Sequence, residues 1–478
     1  MSQLNKDILF LIFEELQNDS KFLFSCLLVN RLWCETVVPI LWRNPWSYEL
    51  DYSNKSYLFT IIAFYLPVDI KEFLSKHEIN FPSTSYRSLL FDYLSFCRSF
   101  NVNIINSIIS IGSFLEYNQF ILQQEFYKIL ITKCSELKYL DMRSINHQIF
   151  YFPEAKVRLG TLYEINSNTT VDPTYFYGLA RICKNIQKLV IINDTIKVNH
   201  GIAKLIEAQE NLKNFEWKDE FDDDDFVEDP YKEILLILEK KADSLNHLKI
   251  SFQYIYGFEH TFLQKVIPNF YNLKTLIIED FDFFTKNQLI YKSMEVLYID
   301  YITIKTAFNI IENSGGHLKE ILLFKFYDYY FEENFNEDSL NFIRKVREHC
   351  PSIEYLTPTF APTKEHFTEF ENLLKKCKLE RMIIEGSFRK NSYAKLLFNI
   401  LLRSAPNTLR EIRFFNDFKF SLQVLEEFFK QWRGRPALSI LTTDNLYRED
   451  DYVRMINKYK NEEVIKDFKV VPEYKIYY

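Results

Sequence analysis

The densest group of side chains that could do chemistry in this chain is an acidic run. Eight of the eleven residues from Asp219 to Asp229 carry carboxylates. Carboxylates are the ligands that Ca²⁺ prefers, but a calcium loop places them at alternate positions and turns on a glycine, which this run lacks. We therefore interpret the run as a solvated loop whose like charges repel one another, and which could attract a basic partner.

Cysteine and histidine are the other residues that could bind a metal or act in catalysis. The chain has seven cysteines and no Cys-x-x-Cys pair. Cys134, Cys183 and Cys350 each lie three residues before an apolar phrase that recurs along the chain, which predicts equivalent buried positions with a structural role. His247 and His317 lie inside such phrases, so we expect them in or beside strands. None of these residues forms a pattern typical of a metal site or a catalytic centre.

The sequence motifs of common enzyme classes do not occur. The chain contains no Gly-x-Ser-x-Gly, His-Glu-x-x-His or phosphate-loop sequence. Its nine glycines are too few for glycine-dependent architectures such as the Rossmann fold. The net charge of -7 argues against a nucleic-acid partner, which requires a basic face. We therefore predict a protein that is not an enzyme, uses no cofactor or metal, and binds no nucleic acid.

Length and apolar content limit the architecture. A chain of 478 residues is too long for one simple core, so two or more units or a repeat array are expected. The longest apolar run, Tyr57 to Leu66, is far shorter than the ~20 residues that cross a bilayer. An odd number of cysteines without a secretory start is typical of reduced thiols. We expect a soluble protein of the cytoplasm, the nucleus or both, without a membrane partner.

The first forty residues carry the clearest helical pattern. Apolar residues recur there at three- and four-residue steps, which predicts one face of a first helix. Asp19 or Ser20 can cap a second helix, and a third should run from about Asn30 to Val38 and end before Pro39. Three short helices give a small core, so this unit needs a partner from the same chain or from another protein.

This stretch resembles the F-box. An acidic-Ile-Leu step, an Ile-Phe pair, a second helix that ends in Val-Asn-Arg, a tryptophan and a final Pro-x-Leu-Trp follow the family's order and spacing. The matching positions are Leu4, Asp7, Ile8, Leu9, Ile12, Phe13, Leu16, Ser25, Leu28, Val29, Asn30, Arg31, Trp33, Pro39, Ile40, Leu41 and Trp42. Asn5 stands where the family usually has proline, so the first helix could start less sharply. An ordinary N-terminal helical cap on a larger domain is the alternative.

The resemblance implies a docking function for these residues. An F-box binds a small Skp-type adaptor and through it a cullin, so the apolar first and third helices would form the docking face. Large apolar anchors usually dominate such interfaces. The adaptor-binding residues implied in this way are Leu4, Ile8, Leu9, Ile12, Phe13, Leu16, Val29, Trp33, Pro39, Leu41 and Trp42.

A second pattern fills the chain from Leu137 onward. The phrase apolar-x-x-apolar occurs twelve times, at spacings of 21 to 35 residues, and examples are Leu159 to Leu162, Leu273 to Leu276 and Leu438 to Leu441. The phrase continues in alternating residues, which predicts one strand per repeat, and capped apolar stretches between the phrases predict helices. The predicted helices span residues 285–292, 306–313, 338–349, 363–376, 392–403 and 421–432, followed by a terminal helix at 450–461 and a strand from 465.

The phrases resemble the leucine-rich repeats that are common in F-box proteins. The asparagine or cysteine that usually follows the strand is mostly missing, and the repeat lengths scatter. The predicted fold class is α/β, with a short N-terminal F-box helical bundle followed by an irregular leucine-rich-repeat solenoid with a curved parallel sheet. The predicted domains are the bundle at 1–46, a helical junction with the start of the repeats at 47–130, the solenoid at 131–445 and a cap at 446–478. A general α/β domain with coincidental phrases is the alternative.

Together the two resemblances imply the substrate receptor of an SCF-type ubiquitin ligase, whose repeats hold an unknown client protein for ubiquitination. Side chains between the core positions of the strands would face the client. The predicted client-binding residues are Lys249, Ile277, Tyr298, Leu322, Ile383 and Arg413. A neighbouring loop or the C-terminal tail could instead cover them. A repeat scaffold without any ligase is the alternative function, and only the ligase receptor requires an exposed first helix.

Overall fold

The computed structural model divides the chain into two compact units, Met1–Lys241 and Ala242–Tyr478. This division falls inside the predicted repeat array, and the predicted domain boundaries stay predictions. The residues that the structure describes are 5–17, 19–47, 55–77, 79, 81, 88–195, 197–221, 231–252, 261–279, 290–300, 304–324, 334–358, 361, 363–385, 391–415 and 419–472.

Three short helices open the first unit: α1 (Lys6–Glu15), α2 (Ser20–Cys26) and α3 (Arg31–Leu41). Each begins on a polar residue whose side chain accepts a hydrogen bond from a free backbone N–H, as N-caps do. The caps are Asn5, Asp19 and Asn30. Asn5 therefore starts α1 at the position where the F-box usually has proline.

The prediction that the third helix ends before Pro39 is wrong. The helix runs through Pro39 to Leu41. A proline ring removes one helical hydrogen bond and crowds the preceding turn, which costs a few kcal/mol in an isolated helix. Here Val37, Ile40 and Leu41, on both sides of the proline, are buried in the core between the three helices, and that packing offsets the cost.

In the described part of the first unit that follows, helices alternate with five parallel strands. The helices are α4 (Lys55–Phe64), α5 (Val68–Lys76), α6 (Tyr93–Phe96), α7 (Val102–Ile109), α8 (Glu116–Lys133), α9 (Ala155–Leu159), α10 (Pro173–Ile182), α11 (His200–Ala208) and α12 (Lys232–Glu239). The strands are β1 (Ser99–Asn101), β2 (Tyr139–Asp141), β3 (Glu164–Asn168), β4 (Lys188–Asn193) and β5 (Asn214–Asp219). They pair in chain order.

The described residues of the second unit repeat the same arrangement with nine parallel strands, again paired in chain order. The strands are β6 (His247–Ser251), β7 (Thr275–Glu279), β8 (Val296–Asp300), β9 (Glu320–Phe324), β10 (Tyr355–Leu356), β11 (Arg381–Glu385), β12 (Glu411–Phe415), β13 (Leu438–Thr442) and β14 (Ile465–Val470). The helices are α13 (Thr261–Val266), α14 (Ile304–Glu312), α15 (Phe335–His349), α16 (Lys364–Lys376), α17 (Asn391–Ser404), α18 (Leu422–Trp432) and α19 (Asp450–Asn461).

The predicted α/β class and the one-strand repeat are therefore confirmed: each unit is a solenoid of strand–helix repeats. A row of buried side chains crosses the sheet, with Leu140, Ile165, Leu189 and Phe215 as register partners in the first unit. In the second unit this row includes Leu248, Leu276, Leu297, Ile321, Leu356, Met382, Ile412 and Ile440.

Two of the predicted phrases have the wrong register. The third strand places Ile165, not Leu162, beside Leu140, and β13 places Ile440, not Leu441, beside Ile412. Both stretches have surplus apolar residues at the same spacing, so the sequence pattern fits more than one alignment. The backbone hydrogen bonds to the neighbouring strand select one of them.

The three singled-out cysteines occupy equivalent sites, as predicted. Cys134, Cys183 and Cys350 are the C-terminal caps of α8, α10 and α15, and all three are buried. Cys97 and Cys377 hold the same position at the ends of α6 and α16. A small, weakly polar side chain fits where the backbone turns sharply from a helix toward the next strand. His247 opens β6, also as expected.

The stability of the fold should depend strongly on the side chains of the buried row. Leu276 is fully buried between Leu248 and Leu297. We expect Leu276→Ala to lower the free energy of unfolding by about 2–5 kcal/mol, because it leaves a cavity in a close-packed layer. Urea titration followed by circular dichroism measures this loss. The control is Lys274→Ala, whose side chain is half exposed and should cost under about 0.5 kcal/mol; equal effects would contradict the repeat core.

Candidate protein-interaction surfaces

One face of α1 is apolar and exposed. Ile8, Leu11 and Ile12 are 48%, 62% and 42% exposed, and their three- and four-residue spacing places them on one stripe of the helix. On the opposite side of the same helix, Leu9 and Phe13 are buried in the core with α2 and α3. The helix therefore carries more apolar surface than its own bundle covers, which is typical of a binding face.

The remaining predicted adaptor-binding residues divide between the surface and the interior. Val29 is exposed, Leu41 is buried, and Leu16, Trp33, Pro39 and Trp42 are half-buried. The Trp33 ring meets Phe13 edge-on at 5.2 Å, and the Trp42 ring lies 4.7 Å from Tyr93. Leu4 lies outside the described residues. Adaptor binding stays a prediction for all of them. Of the predicted set, Ile8, Ile12 and Val29 are exposed, and the bundle also exposes four apolar residues outside that set: Leu11, Phe22, Phe24 and Leu28.

The end of α3 is tied to the first strand. Trp46 Nε1 donates to the Ser99 carbonyl at 3.0 Å, in a buried setting. Ser99 Oγ donates to Asn44 Oδ1 at 2.8 Å, and the Arg98 amide donates to the Arg43 carbonyl at 2.8 Å. These bonds hold the three-helix bundle on β1. Trp46 lies four residues beyond Trp42, the last residue of the stretch that resembles the F-box, and nothing in the sequence pattern indicated this partner.

The predicted client-binding residues share the sheet face opposite the buried row. Lys249, Ile277, Tyr298 and Leu322 are register partners on β6 to β9, and Ile383 pairs with Arg413 on β11 and β12. Lys249, Ile277 and Tyr298 are half-buried, whereas Leu322, Ile383 and Arg413 are buried. The three buried side chains leave almost no surface for a partner to touch. Their client-binding role stays a prediction.

This face contains a small apolar cluster of its own. Leu322, Tyr355, Ile383 and Phe415 form its buried centre, and Tyr298, Leu441 and Val471 pack against them. Arg381 lies over the Tyr355 ring at 4.2 Å, and Arg413 bonds Glu411 at 2.7 Å. The apolar identity of the face was predictable from the alternation in the strands. Its burial was not, because alternation says which face a side chain is on and not what packs against it.

The acidic run begins inside a strand. Residues 222–229 lie outside the described residues, but Asp219 is the last residue of β5 and is buried. Its carboxylate accepts hydrogen bonds from Trp217 Nε1 (2.8 Å), Asn193 Nδ2 (2.9 Å) and the Tyr231 hydroxyl (2.7 Å). For Asp219 the interpretation as a solvated residue is therefore wrong. A buried carboxylate at the end of a strand that accepts three hydrogen bonds has a structural role. Composition alone cannot distinguish such a residue from the charged residues beside it in the sequence.

One hydrogen-bonded group of side chains resembles the nucleophile and general base of a hydrolase. Ser339 Oγ lies 2.8 Å from His366 Nε2, and Thr363 Oγ1 lies 2.7 Å from His366 Nδ1. Ser339 and His366 are buried between α15 and α16, so no substrate reaches the hydroxyl. Burial lowers the pKa of His366 below its ordinary value of 6.5, which favours the neutral ring. The arrangement satisfies buried polar groups; it does not build a catalytic site.

Within the part of the chain that the structure describes, no three His, Cys, Asp or Glu side chains converge to hold a metal ion. The described helices also include none that is long and apolar enough to cross a membrane.

Comparisons with known proteins add little. No protein-family model matches the chain, and no curated protein matches it. Among solved structures, 48 chains match. One is a crystal structure of a Bacteroides fragilis protein; the alignment covers 59% of this chain and 66% of that protein, just under two thirds, at 15% identity and a TM-score of 0.29. A likeness at this level carries no argument, so the repeat fold rests on the strands and helices described above.

The buried histidine predicts a pH dependence. Because the pKa of His366 is lower in the folded chain than its ordinary 6.5, the unfolded chain binds the proton more readily. The contribution of the neutral His366 ring to the free energy of unfolding is therefore fully present above pH 6.5, and it falls as the pH drops below that value. Urea midpoints at pH 7.5 and 5.5 should differ more for the wild type than for His366→Gln, which keeps polar partners for Ser339 and Thr363. Identical shifts in the two proteins would contradict a buried neutral imidazole.

Proposed function

We propose that this chain is the substrate-recognition subunit of an SCF-type cullin-RING ubiquitin ligase. Its N-terminal bundle would dock a Skp-type adaptor and through it a cullin, while the repeats hold a client protein for ubiquitination. The chain itself would do no bond chemistry and use no cofactor, because its contribution is to bring the client close to the ubiquitin-charged enzyme. The observation that carries the proposal is the exposed apolar stripe of α1, on a stretch that resembles the F-box.

The exposure of α1 supports the receptor over a plain helical cap. A cap exists to cover apolar surface, so it would turn Ile8, Leu11 and Ile12 inward, yet all three are about half exposed. Covering what remains exposed on three aliphatic side chains is worth roughly 2–4 kcal/mol. That is enough for these residues to act as the centre of an interface, together with Val29 and Leu28.

The proposal assigns different tasks to the implied adaptor-binding residues. Ile8, Ile12 and Val29 would touch the adaptor directly. Leu9, Phe13 and Leu41 are buried in the bundle core, so they would act by holding the shape of the docking face. The seven cysteines are all free thiols, which fits a reducing compartment such as the cytoplasm or the nucleus.

A repeat scaffold without ligase association is the second candidate. The observation that favours it is the attachment of α3 to its own chain, through Trp42 beside Tyr93 and through Trp46 on Ser99. In that case the bundle would serve the fold and the repeats would bind a partner alone. The two candidates differ in whether the stripe on α1 has an external partner.

Co-purification with a Skp-type adaptor tests the proposal. We expect the wild-type chain to form a stable complex. Ile8→Asp/Ile12→Asp should weaken the affinity for the adaptor at least tenfold, because two charges would be buried in an apolar interface. Both positions are half exposed, so the variant should keep the fold. Phe114→Asp, at a side chain 92% exposed in the same unit, is the matched control and should bind normally. A folded wild-type chain that forms no complex would leave the scaffold as the function.

A further inference from the structure

A polar cleft of about 470 Å³ lies at one edge of the first unit's sheet. Its walls come from the segments that follow the neighbouring strands β2 and β3. Clefts at the carboxyl ends of parallel strands are common ligand sites, because the segments that follow the strands meet there. The volume lies within the range of pockets that hold small ligands or short peptide segments.

One wall of the cleft consists of uncharged side chains that can form hydrogen bonds. Ser144, Asn146 and Gln148 line the cleft and are exposed, while the residues between them, Ile145 and His147, are buried. Ser144, Asn146 and Gln148 are therefore the accessible members of this wall, and Ile145 also lines the cleft as a buried apolar residue. Each amide offers both a donor and an acceptor, as a peptide backbone requires. Residues 144 to 148 span at most about 13 Å, the length of four residues of extended chain.

The other wall carries the charge. Thr170, Asp172 and Thr174 line it. Asp172 caps α10 with one oxygen: Oδ1 accepts from the Thr174 amide at 2.8 Å and from the Thr174 hydroxyl at 2.5 Å. Its second oxygen, Oδ2, has no hydrogen-bond partner among the described residues. The hydrogen bonds from Thr174 also lower the pKa of Asp172, so the carboxylate is ionised at neutral pH.

The charges around the cleft favour a cation. The N-terminus of α10 contributes about half a positive charge, which the full negative charge of Asp172 exceeds. Asp194 adds a second carboxylate behind the wall, where it accepts from the Thr170 amide and hydroxyl, both at 3.1 Å. The nearby cation, Arg143, is paired with Asp141 through two bonds of 2.9 and 2.6 Å. An incoming ammonium or guanidinium group therefore meets net negative charge.

We propose that this cleft binds an extended peptide segment of the client, with an arginine or lysine side chain on Asp172 Oδ2 and its backbone along Asn146 and Gln148. Val171 and Tyr175, both buried, form part of the floor against which the aliphatic stem of the cation would lie. The inference rests on the part of the proposed function that gives the repeats a client, and does not involve the adaptor.

A peptide library provides the test. The purified full chain is screened against acetylated, amidated hexapeptides in which each position is fixed in turn, and we expect selection of Arg or Lys at one position or more. The best peptide is then remade with citrulline, which keeps the shape of arginine and loses its charge. Because Asp172 is exposed, the charge should be worth up to about fivefold in affinity at low salt. Fluorescence anisotropy measures both peptides.

The variants separate binding from folding. Asp172→Asn keeps an equally good N-cap and removes only the charge, so the preference for arginine over citrulline should disappear. Asp69→Asn, an exposed acid in the first turn of α5, is the matched control and should keep it. Asn146→Ala/Gln148→Ala should weaken both peptides equally, since it removes the backbone contacts.

Three results would overturn the inference: no selection of a basic residue, the same arginine preference in Asp172→Asn as in the wild type, or binding of free argininamide as tight as that of the peptide. Co-purification of Asp172→Asn with the Skp-type adaptor is run in parallel. Normal adaptor binding without any peptide binding would reject the cleft and leave the docking proposal intact. Peptide binding without adaptor binding would support the cleft and reject the docking proposal.

Discussion

The whole architecture depends on one constraint: a strand of two to six residues cannot bury its apolar face alone. Each strand is stable because a neighbour continues the row of buried side chains beside it, as Leu276 does between Leu248 and Leu297. A row of this kind must be closed where it stops. At β1, the bond from Trp46 Nε1 to the Ser99 carbonyl and the bond from the Ser99 hydroxyl to Asn44 Oδ1 attach the helical bundle. Beside β14, α19 buries Tyr452, Met455, Ile456 and Tyr459 and carries charged residues elsewhere.

The two units carry different chemistry on the sheet face opposite the buried row. In the first unit this face is polar, and Lys188 lies 3.2 and 3.4 Å from Glu164 and Glu216 on the flanking strands. In the second unit the corresponding positions include Leu322 and Ile383, which are buried in an apolar cluster. A polar, half-buried face can exchange its internal bonds for bonds to a partner. A buried apolar face contributes to stability instead, which limits the residues that a client could touch.

Much of the fold was predictable because local sequence patterns, such as apolar periodicity and helix caps, determine it. The helix at Asp450–Asn461 has the predicted limits, and Thr363 and Ser421 cap α16 and α18 as expected. The errors share a physical origin, since tertiary packing overrides a local rule. The core around Val37 and Ile40 carries α3 through Pro39, and strand pairing chooses Ile165 over Leu162. The candidate sites were harder, because exposure of Ile8 or burial of Arg413 depends on contacts that no local pattern contains.

The spacing between repeats varies widely, while the buried row keeps its register from β2 to β5 and from β6 to β13. Doubling the length of a surface connection costs only about 0.6 kcal/mol in loop-closure entropy, whereas a one-residue slip in a strand turns every buried side chain outward. Changes in the length of the return segments should therefore cost little stability, whereas a change in strand register should cost much more. A lineage built on this plan can acquire new recognition loops by insertion, one repeat at a time, without redesigning its interior.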